Sequence, residues 1–88
     1  MATGPTSTTK GFQDPRYRAL IGLLIDARKA AKLSQEGLAE RLGRHQQFVS
    51  RYEIGERRLD VVEFADIARS LNCDLELLIS SIPFSRII

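Results

Sequence analysis

The stretch from Gln35 to Glu53 constrains the fold more than any other part of the chain. It reads Gln-Glu-Gly-Leu-Ala-Glu-Arg-Leu-Gly-Arg-His-Gln-Gln-Phe-Val-Ser-Arg-Tyr-Glu. Leu38, Ala39 and Leu42 share one helical face, and that pattern stops at Gly43. Val49 and Tyr52 share a face of a second pattern, which leaves Gln46, Gln47, Ser50 and Arg51 pointing outward. Spacings of three and four residues place side chains on a common helical face. Gly43 can adopt the left-handed conformation that ends a helix and turns the chain sharply. Two helices joined this way form a helix-turn-helix. The second helix would present amide, hydroxyl and guanidinium groups, the chemistry that reads base edges in a major groove.

The flanking sequence supplies further helices. Asp14-Pro15 is a strong start, because Asp caps well and Pro suits the first helical position. Tyr17, Leu20, Ile21, Leu24, Arg28 and Ala31 follow at helical spacing, with Leu24 and Ala31 expected in the core. Leu23 and Ile25 widen this stripe toward another element or subunit. Gly22 weakens the helix by about 1 kcal/mol relative to Ala, and it would admit a close neighbour. Ser34 caps the second helix, and the third is expected over Gln46–Tyr52, with Gly55 as its stop. Asp60-Val61-Val62-Glu63 has the pattern of a capping box, and Leu59 with Phe64 that of a hydrophobic staple. Phe64, Ile67, Ala68 and Leu71 continue at core spacing to Asn72. Asp74 then caps a fifth helix with the apolar stripe Leu75, Leu78, Ile79 and Ile82. The expected architecture is all-α, one five-helix domain over 14–82. A flexible arm, residues 1–13, precedes it, and an apolar tail, residues 83–88, follows.

Bulk properties narrow the function. A single domain of 88 residues buries only about 60–65% of its unfolded surface and is marginally stable without help. Ten Lys/Arg face five Asp/Glu between Arg16 and Arg58, whereas two face five from Leu59 to Ile88. A basic half suits a polyanion and an acidic half is repelled by one; the alternative is a solvated surface with no partner. One Cys and one His provide neither an internal disulfide nor a structural zinc site, so no metal or cofactor is expected. Cys73 reads as a small core or boundary residue. No apolar run approaches the ~20 residues that span a membrane. The N-terminus has no apolar signal core, so the expected location is cytoplasmic. There is no phosphate-binding glycine loop after a strand and no paired acids in a cleft pattern, so an enzyme is not expected.

The run Leu33-Ser34-Gln35-Glu36-x-Leu38-Ala39-Glu40-x-Leu42-Gly43, followed by Val49-Ser50-Arg51-x-Glu53-x-Gly55, resembles the Cro/C1 (XRE) family of helix-turn-helix regulators. That family includes phage repressors, restriction–modification controller proteins and many antitoxins. The likeness extends from about Tyr17 to Ile79. It implies a lambda-repressor-like bundle and a regulator that binds double-stranded DNA. It also implies that Gln46, Gln47, Ser50 and Arg51 read bases, with Gln47 or Arg51 making the strongest contact. Gln35 would fix the DNA backbone and buttress the recognition helix, and Glu53 would pair with Arg28 to clamp helix 3 against helix 1. Two positions depart from the family pattern. Gly37 stands where a helix former is usual, and His45 replaces the usual Ser or Thr cap of the recognition helix.

Around this motif, Arg44, Arg57 and Arg58 are candidate phosphate contacts, which set register rather than sequence. His45 is either a solvent-facing turn residue or a further phosphate contact. Phe48 either meets thymine methyl groups or covers the core. Tyr52 belongs to the core, with its hydroxyl within possible reach of a phosphate. In the tail, Ile82, Phe84, Ile87 and Ile88 are too apolar to sit comfortably in water. With Leu78 they would form the interface of a two-fold homodimer or fold back on their own domain. The leading expectation is a repressor or autoregulator that binds a near-palindromic operator as a dimer. The alternative is an antitoxin-like interaction module whose tail binds another protein and whose DNA binding is secondary.

Overall fold

Every helix of the bundle begins at a residue whose conformation is extended, and four of the five begin at a side-chain cap. The computed structural model describes residues 14–82. Within it, α1 is Pro15–Ala30, α2 Gln35–Leu42, α3 Gln46–Ile54, α4 Val61–Ser70 and α5 Leu75–Ser80. The expected arm and the tail residues Phe84, Ile87 and Ile88 lie outside the described residues. Asp14 accepts from the Arg16 N–H, Ser34 from Gly37, and Asp74 from Glu76 and Leu77. At α4 the full capping box forms: Asp60 accepts from the Glu63 N–H at 2.7 Å, and Glu63 accepts from the Asp60 N–H at 3.1 Å. His45 occupies the cap of α3 but makes no side-chain cap bond.

The first four helices end alike. A left-handed residue follows each one: Lys32 (φ 61°), Gly43 (φ 67°), Gly55 (φ 91°) and Asn72 (φ 57°). The next residue then donates back across the last turn, as in Leu33 N–H to Arg28 O at 3.1 Å and Arg44 N–H to Ala39 O at 2.9 Å. This pattern satisfies carbonyls that a helix end otherwise leaves open. One residue departs from expectation: Ala31 still donates to Ala27 O at 3.0 Å, but the buried face of α1 ends at Arg28, and Ala31 is exposed instead of joining the core.

The core sits where α1, α3 and α4 meet α2, with Ile21, Leu24, Leu38, Val49, Tyr52 and Ile67 essentially inaccessible. Burying a side chain of this size contributes about 1.5–3 kcal/mol. Helix α2 packs against α3 and α4, α1 against α3, and α5 against α4. Gly37 has a local reason: a Cβ there would come within 3.3 Å of Ser34 Oγ and 3.4 Å of Leu33 Cδ2. The glycine lets the capping hydroxyl and Leu33 close on the start of α2. At Gly22, by contrast, a Cβ would meet nothing within 4 Å, so no close neighbour uses that glycine among the described residues. In α5 only Leu78 is buried, while Leu77 and Ile79 are 68% and 50% exposed.

Candidate nucleic-acid interface

Helix α3 divides cleanly. Phe48, Val49, Tyr52 and Glu53 face inward and are buried. Gln46, Gln47 and Arg51 are exposed, and Ser50 is half-buried with its hydroxyl donating weakly to Gln47 O at 3.4 Å. The preceding Gly43 turn sets the direction of the helix. Its left-handed backbone lets α2 and α3 cross while their apolar faces meet in one core.

A buried polar network fixes α3 in that position. Arg28 Nε donates to Glu53 Oε2 at 2.8 Å and Arg28 Nη2 to Oε1 at 3.1 Å. Gln35 Nε2 donates to the same Oε1 at 2.8 Å. The remaining fork nitrogen of Arg28 donates to Leu33 O at 2.8 Å, closing the α1–α2 turn. The paired side chains are only 10% and 5% exposed. Three helices therefore converge on one carboxylate. With its amide nitrogen committed to Glu53, Gln35 leaves the first-turn backbone N–H groups of α2 as the groups suited to an anion.

A second cluster surrounds Phe48. This ring is 8% exposed and packs at 5.5 Å, tilted, on Tyr52, so it covers the core and does not project toward bases. The Arg44 guanidinium lies 3.9 Å above its centroid and that of Arg57 4.9 Å. Arg57 forms a two-pronged pair with Glu63, at 2.9 and 2.8 Å. That pairing holds the Glu63 carboxyl down to about 2, with burial opposing and the Asp60 N–H assisting. Arg44 makes a looser charge contact with Glu63 at 3.6 Å. His45 and Arg58 are exposed.

The Tyr52 hydroxyl departs from expectation. It is buried with no hydrogen-bond partner, and burial raises its pKa above the ordinary phenol value. It does not reach the surface where a phosphate would lie. Three further residues hold the interface. Tyr17 accepts the Leu59 N–H at 3.0 Å, Arg18 donates to Glu53 O at 2.8 Å, and Glu63 takes both flanking arginines. Only Glu63 carried a signal, in the paired arginines a few residues before its capping box.

Among the described residues no cluster of His, Cys, Asp and Glu would hold a metal, and no helix is long and apolar enough to cross a membrane. The fold and the outward polar face of α3 define a small all-α DNA-binding protein of the helix-turn-helix class. The family profile described as helix-turn-helix matches residues 24–78. Among solved structures, an XRE-family like protein from Pseudomonas syringae pv. tomato str. DC3000 is similar at 50% identity. That match covers 84% of this chain and 90% of that one with a TM-score of 0.76. No protein with a curated description matches. The chain belongs to the XRE (Cro/C1-type) helix-turn-helix family, whose members bind DNA and are not enzymes.

Proposed function

We propose that the protein is a sequence-specific transcriptional regulator, a repressor or autoregulator, that binds a near-palindromic operator as a homodimer in the cytoplasm. The observation that carries this reading is the division of α3 between a clamped inner face and an exposed face of Gln46, Gln47 and Arg51. Gln pairs bidentately with adenine and Arg with guanine in the major groove. Ser50 adds an adaptable hydroxyl. Arg44, His45, Arg57 and Arg58 flank this face as phosphate contacts, and the start of α2 at Gln35 supplies a further one.

The dimer would use the outer face of α5, where Leu77 and Ile79 are exposed, with Ile82 at its edge. Leu78 belongs to the core of its own domain. Phe84, Ile87 and Ile88 would extend the apolar surface. Two-fold pairing would set two recognition helices about 34 Å apart, on successive turns of the major groove.

The test is fluorescence anisotropy against the upstream DNA of its own gene and a scrambled duplex, over a salt series, with the mass in solution measured in parallel. The expected preference for the native fragment is about a thousand-fold or more. Gln47→Ala or Arg51→Ala should cost about 1–3 kcal/mol on that site and blur its preference. Unchanged preference in both variants would remove α3 as the reader. A monomer in solution would shift the α5 face to a different protein partner.

A further inference from the structure

The recognition helix is bracketed by two arginines tied to one acid. Arg44 lies in the turn before α3 and Arg57 in the loop after it. Both rest on the ring of Phe48, and both point their charge at Glu63 of α4. The acid lies inside, with its side chain 15% exposed, and the arginines reach outward at 40% and 38%. Arg57 grips Glu63 through two parallel N–H donors, the geometry with which an arginine grips a phosphate.

We propose that Glu63 is a built-in stand-in for a DNA phosphate: it positions both arginines while DNA is absent and competes with the backbone for Arg57 when DNA arrives. The proposal rests on the DNA-binding reading above. A phosphate approaching Arg57 either displaces Glu63 from the fork or takes a remaining donor with a carboxylate close behind. Both routes weaken binding to every duplex equally, because phosphates carry no sequence information. The base-facing side chains of α3 share no hydrogen bond or ion pair with Glu63, so discrimination among sequences is left to them. The device lowers affinity for bulk DNA without touching base readout.

Glu63→Gln is the informative variant, because it removes the charge and keeps an acceptor for the Asp60 N–H that starts α4. Circular dichroism and a melting curve establish that it folds. Anisotropy on the native and scrambled duplexes should then show roughly threefold to tenfold tighter binding to both, the scale of one phosphate contact. The ratio between them should stay unchanged, and the salt slope should steepen by about one unit. In an Arg57→Ala background the same change should gain less than about twofold. Unchanged or weaker binding by a folded Glu63→Gln variant would overturn the proposal, as would a gain confined to one sequence. If the wild-type protein binds neither duplex, the DNA-binding reading falls first and takes the role of Glu63 with it.

Discussion

Replacing Glu53 with Ala should be among the most damaging single changes to this domain, and its size follows from what the carboxylate holds. Glu53 accepts from Arg28 Nε at 2.8 Å, Arg28 Nη2 at 3.1 Å and Gln35 Nε2 at 2.8 Å. Truncation strands two of the three Arg28 nitrogens in a site where that residue is 9% exposed. The third keeps its bond to Leu33 O. Hydrogen bonds to charged groups contribute about 1.5–3 kcal/mol each, and removing one partner of a buried ion pair costs about 3–5 kcal/mol. A domain of this size has a total stability of roughly 4–13 kcal/mol, so Glu53→Ala consumes much of it. Urea denaturation followed by circular dichroism should show the midpoint falling by about 2 M or more, with little change in slope. The double variant Arg28→Met with Glu53→Leu should recover most of the loss, because apolar replacement of a whole buried pair is often neutral or better. A loss below about 1 kcal/mol, the scale of an exposed pair, would refute the claim that this network clamps α3.

Two glycines predict opposite outcomes. Gly22→Ala lies mid-helix with open space around the new methyl and should stabilise by about 0.5–1 kcal/mol; Gly43→Ala must sit at φ 67° and should destabilise by about 1–2 kcal/mol. Thermal melting separates them, with shifts of several degrees in opposite directions. The third prediction concerns acid. Glu63 titrates near 2 in the fold against 4.5 ordinarily; a lowered folded pKa gives stability that is present above the ordinary value and lost as pH falls toward the folded one. The stability difference between wild type and Glu63→Gln should therefore hold at pH 7, shrink below pH 4.5 and vanish near pH 2. Solvent at Arg57, 38% exposed, keeps that difference well below the effect of the buried pair.

Local signals proved the most legible. The caps at Asp14, Ser34, Asp60 and Asp74 and the left-handed stops at Gly43, Gly55 and Asn72 each depend on a few neighbouring residues, and the structure uses all of them. The end of α1 was harder to read, because Lys32 adopts a left-handed conformation that its side chain does not advertise. The helical spacing itself runs on to Ala31, but the buried face of α1 stops at Arg28. Family resemblance pointed to Arg28 and Glu53; composition alone would not have joined residues so far apart in the chain. The use of Glu63 by two arginines and the isolation of the Tyr52 hydroxyl are tertiary facts. They follow from how α4 and Phe48 close over the core: the arginine pair before the capping box hints at Arg57, but nothing local points to Arg44 or to the buried hydroxyl.

The first turns of α1 reach much farther than their position suggests. The Tyr17 hydroxyl secures the Leu59 N–H just before α4, and Arg18 secures the last turn of α3 through Glu53 O. Both residues precede the stretch matched by the family profile, which starts at residue 24. The DNA-reading unit is thus not a portable cassette. A graft or truncation cut at the profile boundary would keep every base-facing side chain and lose two of the struts that aim them. Transfer of this specificity to another scaffold would have to begin no later than the cap at Asp14.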